Sequence, residues 1–231
     1  KRLQGTENEA SKKGLAWLLG YTAHVMTDVT IHPVVELKVG TYQGNEEAHR
    51  ICEMHQDAHI FQRLNLGEVG LSEHLDSGIA ACRDAANPDL LDRDIVTLWS
   101  GMLQDVHPIE FAANPPDIDK WHRRFKFVIG KIAEEGNRLI PFARHLAVDS
   151  GLMYPAKDDI AQQFIKGLST PLGKQDYDTI FDAAIGNVGR VWQVAASGAT
   201  QGQKTYLAGI GNCNLDTGRD ENGRLVFWGV A

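Results

Sequence analysis

Residues 20–33, GYTAHVMTDVTIHP, set His24, Asp28 and His32 four residues apart, and residues 49–57, HRICEMHQD, repeat that spacing with His49, Glu53 and Asp57. An α-helix turns about 100° per residue, so a step of four returns to within roughly 40° of the starting direction, about 6 Å further along. Each triplet therefore forms a stripe on one helical face. Zinc takes imidazole nitrogens and carboxylate oxygens at roughly 2.0 to 2.2 Å, and catalytic sites keep a position open for water. A single HxxxD is weak evidence, because it is commonly an exposed ion pair or a cap. Two of these stripes inside one 34-residue window, the first in an apolar run, predict a multinuclear zinc site between two helices.

Working outward, Thr6 and Glu9 have the spacing of a capping box, and 10–31 follow without proline. A long helix is expected there, with Leu15, Leu18, Leu19, Ala23 and Met26 on its buried face. Pro33 lacks an N–H and disfavours helical geometry at His32, which predicts a kink or an end. Gly40 and Gly44 break the connector. Asn45 suits a cap, and Glu46 and Glu47 suit the positive end of a second helix running to about Asn65. More helices are expected from Asn87-Pro88-Asp89 onward, over 117–147, over 157–168 and over 175–195. After Ser197 glycines become frequent, and 205–210 and 224–230 read as short strands, with Asn222-Gly223 as a hairpin turn. The expected fold is mainly α, a single multi-helix domain over 1–197 carrying the metal site, with a small C-terminal β-hairpin appendage over 198–231 packed on it.

A chain of 231 residues can bury one sizeable core, and 43% hydrophobic with 23% charged residues excludes a disordered or membrane-embedded class. No apolar run approaches the roughly 20 residues of a membrane span. The net charge of −7 argues against a wide basic face for duplex nucleic acid, and no clustered basic aromatic surface for single strands is evident. Cys52, Cys82 and Cys213 form no CxxC pair, so the chain is not a disulfide scaffold. It begins at Lys1 without a signal-peptide pattern, as a chain does whose leader has been removed or that has been trimmed.

The two motifs together resemble the zinc-dependent phospholipase C family, which includes bacterial phospholipases C and the catalytic domain of glycosylphosphatidylinositol-specific phospholipase D. The resemblance covers 15–60 by motif and the body by helical character. It implies a multi-helix domain of the phospholipase C and nuclease type that hydrolyses phospholipids through a metal-bound hydroxide, with two or three Zn2+ ions. Carried over by residue, His24 and Asp28 are zinc ligands, Asp28 able to bridge two ions, while His32, His49 and Glu53 bind another. Asp57 is a ligand or a partner of a ligating histidine. Asp28 and Glu53 stand at the reacting centre. The family draws further ligands from residues ahead of its first motif. Here the 23 residues before His24 hold no histidine or aspartate, so those ligands lie upstream of Lys1 or are missing. The resemblance also implies a phospholipid or other phosphodiester substrate, peripheral membrane contact and a secreted or periplasmic location. A single-strand nuclease of the same superfamily and a degenerate, metal-stabilised binding module remain the alternatives.

Other residues carry plainer expectations. His55 and His59 lie about 120° from the second stripe and read as exposed. Cys52 reads as a buried structural thiol. Trp17, Trp99, Trp121 and Trp192 read as core, whereas Trp228 could meet lipid or a partner. Asp216, Gly218, Asp220, Asn222 and Gly223 read as a hairpin turn. An apolar entry beside the metals, which a lipid substrate requires, is not located by the sequence.

Overall fold

The computed structural model describes residues 8–67, 69, 73–136, 154–201 and 211–229. The fold is mainly α with a small hairpin: α1 (Glu9–Val39), α2 (Glu46–Arg63), α3 (Glu73–Ala81), α4 (Arg93–Val106), α5 (Pro108–Ala113), α6 (Ile118–Gly136), β1 (Leu168–Thr170), β2 (Gly173–Gln175) and α7 (Tyr177–Gln201). Among these residues no helix is long and apolar enough to cross a membrane.

α1 is the spine. Its N-cap is Asn8, whose side chain accepts from the Ser11 N–H at 2.9 Å; Thr6 lies outside the described residues. One side of α1 gives Ile31, Val34 and Val35 to a core shared with Cys52 and Ile60 of α2, Leu168 of β1, and Tyr177, Ile180 and Ala184 of α7. Met26 and Val29 meet Val191 of α7 in a second cluster, and Trp17 lies against Leu91, Ile95 and Ile118 in a third. Leu15, Leu18, Leu19 and Ala23 are half-buried.

Pro33 does not end α1, which continues to Val39. Val34 and Val35 are wholly buried, and two such side chains contribute roughly 1.5–3 kcal/mol each, enough to offset the ~3 kcal/mol of an internal proline. The Val29 carbonyl, deprived of the N–H at position 33, faces Gly218 of the C-terminal loop. A Cβ there would fall 2.4 Å from Val29 O and 2.6 Å from Pro33 Cγ, and φ is +65°, so this close approach requires glycine.

The strands stand elsewhere than expected. β1 and β2 pair antiparallel with Thr170 opposite Gly173, ahead of α7. Residues 226–228 form a 3-10 turn, because Trp228 is buried and donates its indole N–H to Thr30 O at 2.9 Å. The turn at Asn222-Gly223 forms, with Gly223 at φ +77° and the Asp220 carboxylate accepting from the N–H groups of Asn222 and Arg224. The expected strand over 205–210 lies outside the described residues, as does 137–147 of the expected helix.

Two helix expectations fail locally. Over 157–168 there are two 3-10 turns and β1, since the Ala161 N–H is donated to His55 Nδ1 at 3.2 Å instead of closing a helical turn. Asn87-Pro88-Asp89 forms a turn around the Asp84 and Asn87 side chains. α4 begins later, capped by Asp92.

Candidate metal centre

α1 and α2 lie side by side, and the two stripes meet in part. On α1, His24 Nε2 is 3.2 Å from Asp28 Oδ2. Across the helix pair, His32 Nε2 is 3.2 Å from Glu53 Oε1. Adjacent ligands of a tetrahedral zinc stand roughly 3.3 Å apart when each bond is about 2.0 Å, so both pairs have the spacing of a ligand edge. Among the described residues no three histidine, cysteine or acidic side chains converge on one ion position. The arrangement is therefore two pairs along a shared face.

The C-terminal loop completes the surroundings. His32 Nδ1 lies 2.6 Å from Leu215 O, and because a carbonyl only accepts, Nδ1 carries the proton. That bond directs Nε2 toward Glu53, the orientation commonly given to a ligating histidine by a backbone carbonyl. Gly218, seated on the Pro33 break three residues later, fixes the loop in register. Asp216 stands close enough to act on Asp28 by charge.

The electrostatics fit a cation-deficient cluster. Burial raises the pKa of Asp28, opposed by the charges of His24 and His32 and reinforced by those of Glu53 and Asp216. For His32, burial favours the neutral ring. The hydrogen bonds to Glu53 and Leu215 and the charges of Asp28 and Glu53 outweigh it, and its pKa is raised. The raised pKa favours a proton on Nε2 against Glu53, a place that a cation could take instead.

Asp57, one turn beyond Glu53, reaches solvent yet has protein packed closely about it. Burial, then the charge of Glu53, push its pKa up to about 6, although the Tyr154 hydroxyl donates to it. His49 is placed differently. It is buried, its Nε2 donates to Gly40 O at 2.8 Å, and its ring meets Tyr42 edge-on, so only Nδ1 retains a lone pair.

The remaining histidines on α2 are not exposed. His55 is buried, accepts from Ala161 and stacks on Phe164, while half-buried His59 lies 3.0 Å from Asp178 Oδ1. Cys52 is fully buried, and burial pushes its thiol up to about 12, as befits a structural residue. Leu215, Asp216 and Tyr154 were not anticipated as site residues. A backbone carbonyl leaves no sequence signal, and the periodicity of α1 and α2 says nothing about which distant loop closes on them.

Residues 1–109 match the family model described as zinc dependent phospholipase C. That segment, which spans both motifs, is similar to the zinc-dependent phospholipase C family. No curated protein and no solved structure is significantly similar to the chain.

Proposed function

We propose that the chain is a zinc-dependent phosphodiester hydrolase, a phospholipase C acting on phospholipids at the face between α1 and α2. The observation that carries this reading is the His32–Glu53 pair at 3.2 Å, made by separate helices inside the family-matched segment. His24, Asp28, His32 and Glu53 are the residues that would hold zinc. His49, through Nδ1, is a further candidate of the same set, and Asp57 is kept free for proton transfer. Bound zinc would supply Lewis acidity toward the phosphoryl oxygens and bring the pKa of a water toward about 7.

The chain's own groups have distinct tasks in this reading. The Leu215 carbonyl keeps the Nδ1 proton on His32 and so presents the Nε2 lone pair to the ligand face once that nitrogen is deprotonated. Asp28, between His24 and His32 in the stripe, offers two oxygens to two neighbouring positions. Asp57, with its pKa near 6, can accept or return a proton close to neutral pH and is our candidate general base. Tyr154 orients that carboxyl group by donating to it.

The test is a zinc count on protein purified without chelator, together with release of water-soluble phosphate ester from phosphatidylcholine and, in parallel, cleavage of single-stranded DNA. One or more zinc ions per chain and phosphate ester release support the phospholipase. Zinc well below one ion per chain, with neither substrate cleaved, rejects a catalytic centre; cleavage of DNA alone assigns the chain to the nuclease branch.

A further inference from the structure

An aromatic ladder runs from α1 across α4 to α6. On α1, Trp17 and Tyr21 lie on the same face as His24 and Asp28, because they precede His24 by seven and three residues and Asp28 by eleven and seven, offsets that keep all four within about 60° of one direction. Trp17 stacks on Tyr21 with centroids 5.3 Å apart, then meets Trp99 of α4 at 5.6 Å, which meets Trp121 of α6 at 5.5 Å. The ladder does not end in the core: Tyr21 is 47% and Trp121 43% exposed. Trp121 was expected to be buried.

Around Trp121 the sequence 120–127, KWHRRFKF, holds four cations and no acid in a chain of net charge −7. Ile118 and His122 turn inward, and Lys126 is tied to Asp89 and Pro88 O. Lys120, Arg123 and Arg124 are left on the outer half of the helix with exposed Phe127 between them. Arg123 stands in a loose pair with Asp117, 3.9 Å apart. This is a clustered basic aromatic surface, in contrast to the expectation from composition.

We propose that this face of α6, with the aromatic ladder behind it, docks the protein on an anionic phospholipid bilayer. The inference rests on the phospholipase reading for its purpose, and on charge and shape for its partner. Lys120, Trp121, Arg123, Arg124 and Phe127 fall within an arc of roughly 160° on one side of a surface helix, and cations interleaved with aromatic rings there match the anionic headgroups and the acyl boundary beneath them. Aromatic and basic residues also suit single-stranded nucleic acid. The neighbouring exposed aliphatic groups favour lipid: Val106 at the end of α4, which packs against α6, and Ile109 of α5, which offer no stacking surface to a base.

The test is cosedimentation of the full chain with vesicles of phosphatidylcholine alone and of phosphatidylcholine containing about 30% phosphatidylglycerol, with oligo(dT) as a parallel probe. We expect binding to the anionic vesicles and a blue shift of tryptophan fluorescence. R123Q/R124Q, two exposed positions that leave the core untouched, should weaken binding roughly 30-fold, from the two surface charges removed. F127A should weaken it further without removing charge. Equal binding by R123Q/R124Q, or wild-type binding to oligo(dT) but not to vesicles, overturns the proposal. Hydrolysis of a monomeric short-chain phosphatidylcholine by the wild type is measured separately. Its loss would count against the phospholipase reading, whereas intact hydrolysis without vesicle binding would count against the docking face alone.

Discussion

His32 Nε2 and Glu53 Oε1 face each other at 3.2 Å from two different helices, while the other nitrogen of the same ring is held by Leu215 O. Zinc at this place would have to displace a proton whose pKa the surroundings raise, despite burial that favours the neutral ring. Zinc affinity should therefore fall as pH drops below that raised value, and H32Q should remove this pH dependence along with most of the affinity. Calorimetric zinc titrations across pH 5 to 8 measure both. A wild-type affinity that does not change over that range would contradict the assignment.

The metal-free protein should show the opposite trend at the same residue. A folded-state pKa above the unfolded value of about 6.5 gives a stabilisation that is complete below 6.5 and is lost as pH rises through the folded value. The difference in Tm between wild type and H32Q, measured in chelator, should be largest near pH 5.5 and shrink toward pH 8.

Asp57 obeys the same sign for a different cause. Its carboxyl group is raised to about 6 by burial and by Glu53, so the charged form costs stability above pH 6, and the cost disappears as pH falls toward the unfolded value near 3.9. D57N keeps an oxygen that can accept from Tyr154 and has no charge to desolvate. In chelator it should raise Tm at pH 7.5 and leave it unchanged at pH 4, while abolishing hydrolysis if Asp57 is the general base.

Gly218 joins the proline break to the site. G218A places a methyl group within 2.4 Å of Val29 O and asks alanine to adopt φ +65°. We expect a loss of about 2–3 kcal/mol from overpacking and backbone strain together. For a domain of this size that corresponds to a fall in Tm of roughly 5–10 °C. The displaced loop would also loosen Leu215 from His32, a kind of change that typically weakens metal affinity 10–100-fold. Thermal unfolding with and without zinc separates the two effects.

What could be read in the sequence follows from which forces are local. The two four-residue stripes are legible because that spacing is a property of one helix, and the partner each stripe meets, as His32 meets Glu53, is a matter of tertiary packing. Pro33 misled because its local cost was visible and the burial of Val34 and Val35 by distant strands and helices was not. The C-terminal glycines suggested strands; their actual service is to a turn at Gly223 and a close approach at Gly218. Trp121 and Trp228 exchanged expected places for the same reason. Helical spacing gives the face a tryptophan occupies but not what, if anything, covers that face.

The C-terminal segment is held by one buried polar contact as well as by packing. Asn187 on α7 is 2% exposed, and its Nδ2 donates to Thr30 Oγ1 at 2.9 Å and to Phe227 O at 3.3 Å, while Arg190 donates to its Oδ1. Thr30 O in turn accepts the Trp228 indole. N187L would fill similar space but leave the Phe227 carbonyl without that donor and strip Arg190 of its acceptor. The expected cost is about 2–3 kcal/mol, the desolvation penalty of polar groups left unpaired. Because Thr30 lies between Asp28 and His32 in sequence, the loss should also be felt at the candidate centre. N187L should therefore show faster amide exchange over 211–229 and a measurable drop in zinc affinity, whereas a substitution on the outer side of α7, such as I185A, should change neither.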